Sequence, residues 1–432
     1  MNTKVKEINS FTKEIQIKVI WNDLAESYNS QFNKFRQKIS MPGYRKGKVP
    51  IQLVKSNYGK SFEVDFIDKN MDLFFRKAVQ SEKLNPINRA EISDLNFNEG
   101  SDFKFTAKFE VIPEFDLPKY NQIKLKLTKY TPTSNDMNKA LEELEKRFSN
   151  LKTLDGGAKT GDYIECNLQE IDDSGAPIIG KKQEGRFLRL GEGYIKGETE
   201  KALIGIKADE NRNIIITMDD DSKIKYDVYA RKIQELIKPN MDDEFAKMAD
   251  PTVENMNQLK KQIQKRIDKS LEDDFNSAKQ NEIMNWFVEN TKLDSPNSMV
   301  DNYIVNMIED LKTKSPEAKN MEDEKLKEIY KVTAERQIKW YLIQEKLIDA
   351  EDANLSESEL NDEIKKQIEE LKDQNSDIKK YFKKSKNKKR FKEELEIKRL
   401  FEKLEGFSTI KEIKKTTDQL RKEQNQKSGG EK

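Results

Sequence analysis

The sequence predicts a multidomain α+β protein: an N-terminal α+β domain, an inserted β-rich domain and a long all-α C-terminal part. Three observations predict this class. Period-two apolar runs alternate with helical stripes in the first quarter of the chain. Glycines cluster between 151 and 237 among short alternating runs. From Pro239 onward the apolar spacing is helical almost throughout. These shifts set the boundaries at 1–115 for the first domain and 151–237 for the inserted one. Residues 116–150 together with 238–415 form a helical domain, and 416–432, poor in apolar residues, form a disordered tail.

In chain order, Ile15, Ile17 and Val19 alternate with polar residues as in a half-buried strand. Asp23 is placed to cap a helix with the stripe Leu24, Tyr28, Phe32, Phe35 and Ile39. Met41-Pro42-Gly43 breaks it, and Pro50 suits the start of a second helix running through Val54, Phe62, Phe66 and Phe74 to about Leu84. A strand follows at Phe103, Phe105, Ala107, Phe109 and Val111, and another at Ile123, Leu125 and Leu127. Thr133-Ser134-Asn135-Asp136 opens a helix to about Asn150. In the glycine-rich region, strands are expected at Tyr163–Leu168, Phe187–Leu190, Asn213–Met218 and Tyr226–Ile233. The helical remainder carries stripes such as Val300, Ile304, Met307, Ile308 and Leu311, then Ile329, Val332, Ile338, Tyr341, Leu342 and Leu347. No strict heptad persists, so a continuous coiled coil is not expected.

Composition excludes several function classes. The chain has no histidine, which removes Ser-His-Asp and Cys-His catalysis and every His-containing zinc site. Its single cysteine, Cys166, forms no intrachain disulfide and fits a reducing cytoplasm. No Walker-type phosphate loop or dinucleotide fingerprint is present, and no cofactor or metal is expected. The run Asp219-Asp220-Asp221 reads as a turn, because no calcium-loop spacing surrounds it. There is no apolar run long enough to cross a bilayer, and the N-terminal residues lack a signal-peptide core, so no membrane partner is expected.

Acids and bases balance almost one for one, 79 against 80. Yet Ser27 to Phe62 contains no acid and eight cations: Lys34, Arg36, Lys38, Arg45, Lys46, Lys48, Lys55 and Lys60. At its centre lies Gly43-Tyr44-Arg45-Lys46-Gly47-Lys48-Val49-Pro50, at the tip of a helix-loop-helix. Three cations and a ring on a compact turn suit an anionic partner, nucleic-acid phosphate above all. Charge alone leaves a solvated basic turn equally open.

With that loop, the domain order and the helical remainder together, the chain resembles the bacterial trigger factors. The family loop reads Gly-aromatic-Arg-x-Gly-x-x-Pro, as Gly43 to Pro50 does here. The resemblance also covers Asn57-Tyr58-Gly59, Asn85-Pro86 and Val111-Ile112-Pro113-Glu114, and it spans the whole chain. It implies an N-terminal ribosome-binding domain, an inserted FKBP-like prolyl isomerase domain and a C-terminal chaperone domain. It further implies that Gly43, Tyr44, Arg45, Lys46, Gly47 and Lys48 dock on protein and rRNA of the large ribosomal subunit near the tunnel exit. Nascent unfolded polypeptides are the implied clients, folding and export the implied roles. Off the ribosome a weak homodimer is implied.

The isomerase pocket departs from the family pattern. Its candidate residues are Leu168, Ile195, Glu198 and Tyr226. Asn167-Leu168 replaces an acidic-aromatic pair, Arg186 takes the place of an inward Phe with Phe187 one residue off, and Glu198 stands where a ring should line the pocket. The segment between Met218 and Tyr226 is too short for the family's flap. The expectation is an FKBP-like fold with weak or absent isomerase activity. In the helical part, Met284, Met299, Met307, Trp286 and Trp340 are read as packing before client surface. A second basic run, Lys379 to Arg390, is read as a solvated helix end, with an auxiliary rRNA contact as its functional alternative. Together the residues and the resemblance predict a cytoplasmic, ATP-independent, ribosome-associated chaperone. The rivals are an active prolyl isomerase and a general RNA-binding scaffold.

Overall fold

The computed structural model describes residues 1–218, 222–370 and 375–429. The chain divides into two compact units, Met1–Lys126 with Ala278–Lys411, and Leu127–Ser277 with Glu412–Lys432. The acidic run Asp219-Asp220-Asp221 lies outside the described residues.

The first domain comprises β1 (Asn2–Glu7), β2 (Thr12–Val19), α1 (Trp21–Lys38), α2 (Ile51–Ser81), β3 (Glu91–Asn96) and β4 (Phe103–Glu110). The strands form an antiparallel sheet in the order β1-β2-β4-β3. Register pairs Ile15 with Ala107, Ile17 with Phe105 and Val19 with Phe103, so the centre of one face is apolar. The helices cover that face. Phe66 is fully buried and packs edge-on to Tyr28 at 5.1 Å and against Phe97 at 5.2 Å. Such ring pairs add about 0.5–1.5 kcal/mol each beyond burial. Asp23 sits in the first turn of α1 and does not cap it. The α1 N-terminus is closed instead by Asp102, whose Oδ1 accepts from the Trp21 N–H at 3.1 Å.

Then come β5 (Ile123–Thr131), α3 (Ser134–Arg147), β6 (Asn150–Leu154), β7 (Tyr163–Ile171), β8 (Pro177–Arg189), α4 (Glu198–Leu203), β9 (Asn211–Thr217) and β10 (Lys223–Ile237). Thr133 and Asp136 form a reciprocal capping box on α3, with Thr133 N–H donating to Asp136 at 2.7 Å. Strands β6 to β10 make one five-stranded sheet, ordered β6-β10-β7-β8 with β9 on β10. Its inner face buries Ile164, Cys166, Leu168, Ile214, Ile216, Val228 and Ala230. The strand expected at Phe187–Leu190 is the end of the much longer β8. All of it but the last two residues, Pro177 to Phe187, is exposed on both faces, so no apolar alternation announces it.

The helical part comprises α5 (Asp243–Ala249), α6 (Met256–Asn290), α7 (Asn297–Lys314), α8 (Pro316–Lys319), α9 (Asp323–Ala350), α10 (Glu357–Glu370), α11 (Asn375–Phe382) and α12 (Ser385–Gly406). It closes with β11 (Ser408–Thr416) and α13 (Thr417–Gly429). One core gathers Ile123, Leu125, Phe287, Trp340, Leu347, Leu400 and Leu404, so Trp340 is packing. β11 pairs with β5. The 416–432 segment, expected to be disordered, carries α13. Polar anchors hold it where apolar residues are few: Thr417 is buried, and both Thr417 and Arg421 bind Asp136 of the α3 capping box. No described helix is long and apolar enough to cross a membrane.

Candidate functional site

The tip between α1 and α2 is two turns set back to back. Tyr44 N–H donates to Met41 O at 3.1 Å, and Lys48 N–H to Arg45 O at 2.9 Å. The third residue of each turn is a glycine at positive φ, Gly43 at +84° and Gly47 at +75°. A negative φ followed by a positive one is type II geometry, and Pro42 presets the first. Gly47 N–H also donates to Ile39 O at 3.1 Å, which ties the second turn to the end of α1. A Cβ on Gly47 would lie 2.9 Å from Gln37 O, so only glycine fits there. Val49, 1% exposed, plugs the loop into the domain core.

What projects is charge. Tyr44, Arg45, Lys46 and Lys48 are exposed, and Gly47 is half-buried beneath them. Lys55 pairs with Glu99 near the start of α2. Among the described residues Arg45, Lys46 and Lys48 have no carboxylate partner. A rigid, uncompensated cationic turn with a ring beside it suits phosphate or a surface carboxylate. Arg offers a planar fork, Lys a point charge and Tyr a stacking face.

In the β-rich domain an open cavity of about 330 Å³ is lined by Leu168, Gln183, Arg186, Phe187, Leu188, Tyr194, Ile216, Met218 and Tyr226. Of the four candidate pocket residues, Leu168 and Tyr226 are brought together there. Ile195 is buried in the core and is not part of the lining. Glu198 does not face the cavity. Gly197, at φ +63°, turns the chain into α4, and Glu198 opens that helix, 90% exposed and paired with Lys201 at 2.7 Å. A carboxylate in a first helical turn is favoured by the macrodipole, and the Lys201 ammonium holds its pKa below the usual range. Arg186 pairs in register with core-facing Cys166, and both Arg186 and the neighbouring Phe187 border the cavity. The Arg186 Nε donates to Gln183 Oε1 at 2.8 Å. Tyr194 supplies a ring that sequence reasoning missed; the only signal was its place beside Ile195 in a glycine-flanked loop. Cys166 is no nucleophile: burial pushes its thiol up to about 12.

The helical stripes split between core and surface. Val300, Ile304 and Ile308 of α7 pack with Leu326, Ile338 and Leu342 of α9. Ile329 and Val332, three residues apart on α9, are 58% and 74% exposed, and Val305 on α7 is exposed as well. These are exposed apolar positions set among charged neighbours rather than one large continuous patch.

An exposed cationic tip and dispersed exposed apolar positions on a helical scaffold suit a holding chaperone. The comparisons with known proteins specify which kind. A family model described as bacterial trigger factor protein matches residues 1–144, and a second, for the trigger factor C-terminus, matches 255–405. A trigger factor of Geobacillus sp. (strain WCH70) is 27% identical over 85% of this chain and 90% of its own. One of Treponema denticola is 26% identical over 95% of this chain and 97% of its own. A solved structure, reported under promiscuous substrate recognition in folding and assembly by the trigger factor chaperone, shares the fold. Its TM-score is 0.52 at 17% identity, covering 94% of this chain and 100% of that one. The chain belongs to the trigger factor family.

Proposed function

We propose that this ribosome-associated, ATP-independent chaperone docks through Tyr44, Arg45 and Lys46 on protein and rRNA of the large subunit near the tunnel exit. The observation that carries the assignment is the tip itself: three cations without carboxylate partners among the described residues, fixed on two type II turns. Emerging chains then meet exposed apolar positions such as Ile329, Val332 and Val305, and weak reversible contacts delay collapse. A cytoplasmic setting and a weak homodimer off the ribosome belong to the same reading.

The β-rich domain has a weak or absent isomerase activity in this proposal. The amide barrier is about 18–20 kcal/mol, and lowering it calls for an apolar pocket that grips a twisted prolyl bond. Here Arg186 enters the concave face and the cavity is open. Charge reversal tests the docking assignment. Arg45→Glu with Lys46→Glu should abolish co-sedimentation with large subunits while leaving thermal unfolding unchanged, because both side chains are exposed. Retained co-sedimentation would remove the tip from the interface.

A further inference from the structure

The corner between α11 and α12 concentrates charge as the docking tip does, but by a different construction. Residues 379–390 hold eight cations and no acid: Lys379, Lys380, Lys383, Lys384, Lys386, Lys388, Lys389 and Arg390. The inside of the corner is an apolar plug. Phe382 is buried, its ring 5.0 Å from Phe391, within a cluster that includes Leu360 and Ile364. The two-residue link is braced by Lys384 N–H to Tyr381 O at 3.3 Å and by Asn387 Nδ2 to the same carbonyl at 2.7 Å. The corner is therefore held in one shape, with its lysines outward.

Only part of that charge is compensated. Lys389 pairs with Glu393, Arg390 with Glu394, and Lys388 reaches the Asn361 amide oxygen. Among the described residues Lys379, Lys383, Lys384 and Lys386 have no carboxylate partner. The first turn of α12 contains no acid. Cations at a helix N-terminus oppose the macrodipole, so the fold gains nothing from this placement. Tyr381, 45% exposed, stands among the lysines with its edge against Phe382. All of the cations but half-buried Lys388 are exposed, and they spread along the surface rather than converging on a buried pocket. That layout fits an extended polyanion better than a single small anion, and an exposed ring among cations suits an unpaired base.

We propose that the α11–α12 corner is a second nucleic-acid contact, separate from the tip, which binds the phosphate backbone of single-stranded RNA without sequence preference and stacks a base on Tyr381. The inference goes beyond the docking assignment and does not depend on it.

The test uses the full chain and a fluorescein-labelled 20-nucleotide oligouridylate, followed by anisotropy across a salt series. For single strands, log K falls with log salt by about 0.7 per phosphate contact, so Lys383→Gln with Lys384→Gln and Lys386→Gln should flatten the slope by about 2. Tyr381→Ala should weaken binding about fivefold or more with the slope unchanged. A chain with Arg45→Ala and Lys46→Ala reports on the tip separately. If that chain loses ribosome binding but keeps the corner's contribution to the slope, both readings hold. If the three-glutamine variant, with helicity and unfolding like wild type, keeps the wild-type affinity and slope, the corner is only a solvated turn or faces an acidic protein. That result would overturn the proposal, as would a wild-type chain that does not bind the probe at low salt.

Discussion

The two glycines of the proposed docking tip separate the effect of shape from that of charge. Gly43→Ala and Gly47→Ala leave every cation in place. Each puts a Cβ on a residue at positive φ, which costs roughly 1–2 kcal/mol for an L-residue, or about 5- to 30-fold in an equilibrium. At Gly43 that is the whole cost, because nothing lies within 4 Å of the added Cβ. At Gly47 the Cβ would also stand 2.9 Å from Gln37 O and 3.2 Å from Gln37 Cα, and neither backbone atom can swing aside. Forcing an extra methyl into a packed site adds about 1–3 kcal/mol. If docking needs the tip in the shape seen here, Gly43→Ala should weaken affinity for large ribosomal subunits by up to about 30-fold. Gly47→Ala should weaken it further. Both chains should retain the unfolding profile of the helical part. The assay is a sedimentation titration of each variant against a fixed subunit concentration, with far-UV melting in parallel. Equal losses at the two positions, or no loss at either, would refute the claim that a rigid two-turn geometry is what the ribosome recognises.

In the β-rich domain, Glu198→Phe should leave prolyl-peptide turnover unchanged, since Glu198 faces solvent, whereas Arg186→Phe should raise it. A protease-free isomerisation assay reads both, and efficient wild-type turnover would overturn the weak-isomerase proposal. Cys166, 0% exposed with its thiol pushed up to about 12, should resist a thiol reagent in the native chain and react once denaturant unfolds the domain. The Glu359 carboxyl is held down at about 2 by the Ser356 N–H, the Ser356 hydroxyl and the Arg399 guanidinium. Its pKa is depressed in the fold, so its stabilising contribution is full above the ordinary value of 4.5 and disappears as pH falls from there through about 2. The melting-temperature gap between wild type and Glu359→Gln should therefore be largest near neutrality and close across that window.

What was legible in the sequence was local. Pro42-Gly43 and Gly47 encode two turns within eight residues, and the stripe Leu24, Tyr28, Phe32 encodes the buried face of α1, so the helix-loop-helix could be read directly. The inner face of the β-rich sheet was also readable, because period two survives where one side is buried. Distant partners were not readable. The α1 cap comes from Asp102, 81 residues away, and the anchor of α13 from Asp136, which Arg421 reaches across 285 residues. Polar contacts of that kind leave no periodicity. Most of β8 was hidden for the opposite reason: with both faces exposed, nothing selects apolar residues there. Glu198 was misplaced because a residue count along the Gly191–Gly197 loop does not reveal the positive φ at Gly197 that swings the carboxylate outward. The α9 stripe was correct in spacing but divided in fate, with Ile338, Leu342 and Leu347 inside and Ile329 and Val332 outside.

The most direct test of the docking tip places a photo-crosslinking amino acid at Tyr44, 43% exposed, and a control at Ile179, fully exposed on β8. Both chains are irradiated with translating ribosomes. Docking through the tip requires position 44 to crosslink to components of the large subunit at the tunnel exit while position 179 does not. No adduct from position 44, or equal adducts from both, would contradict it.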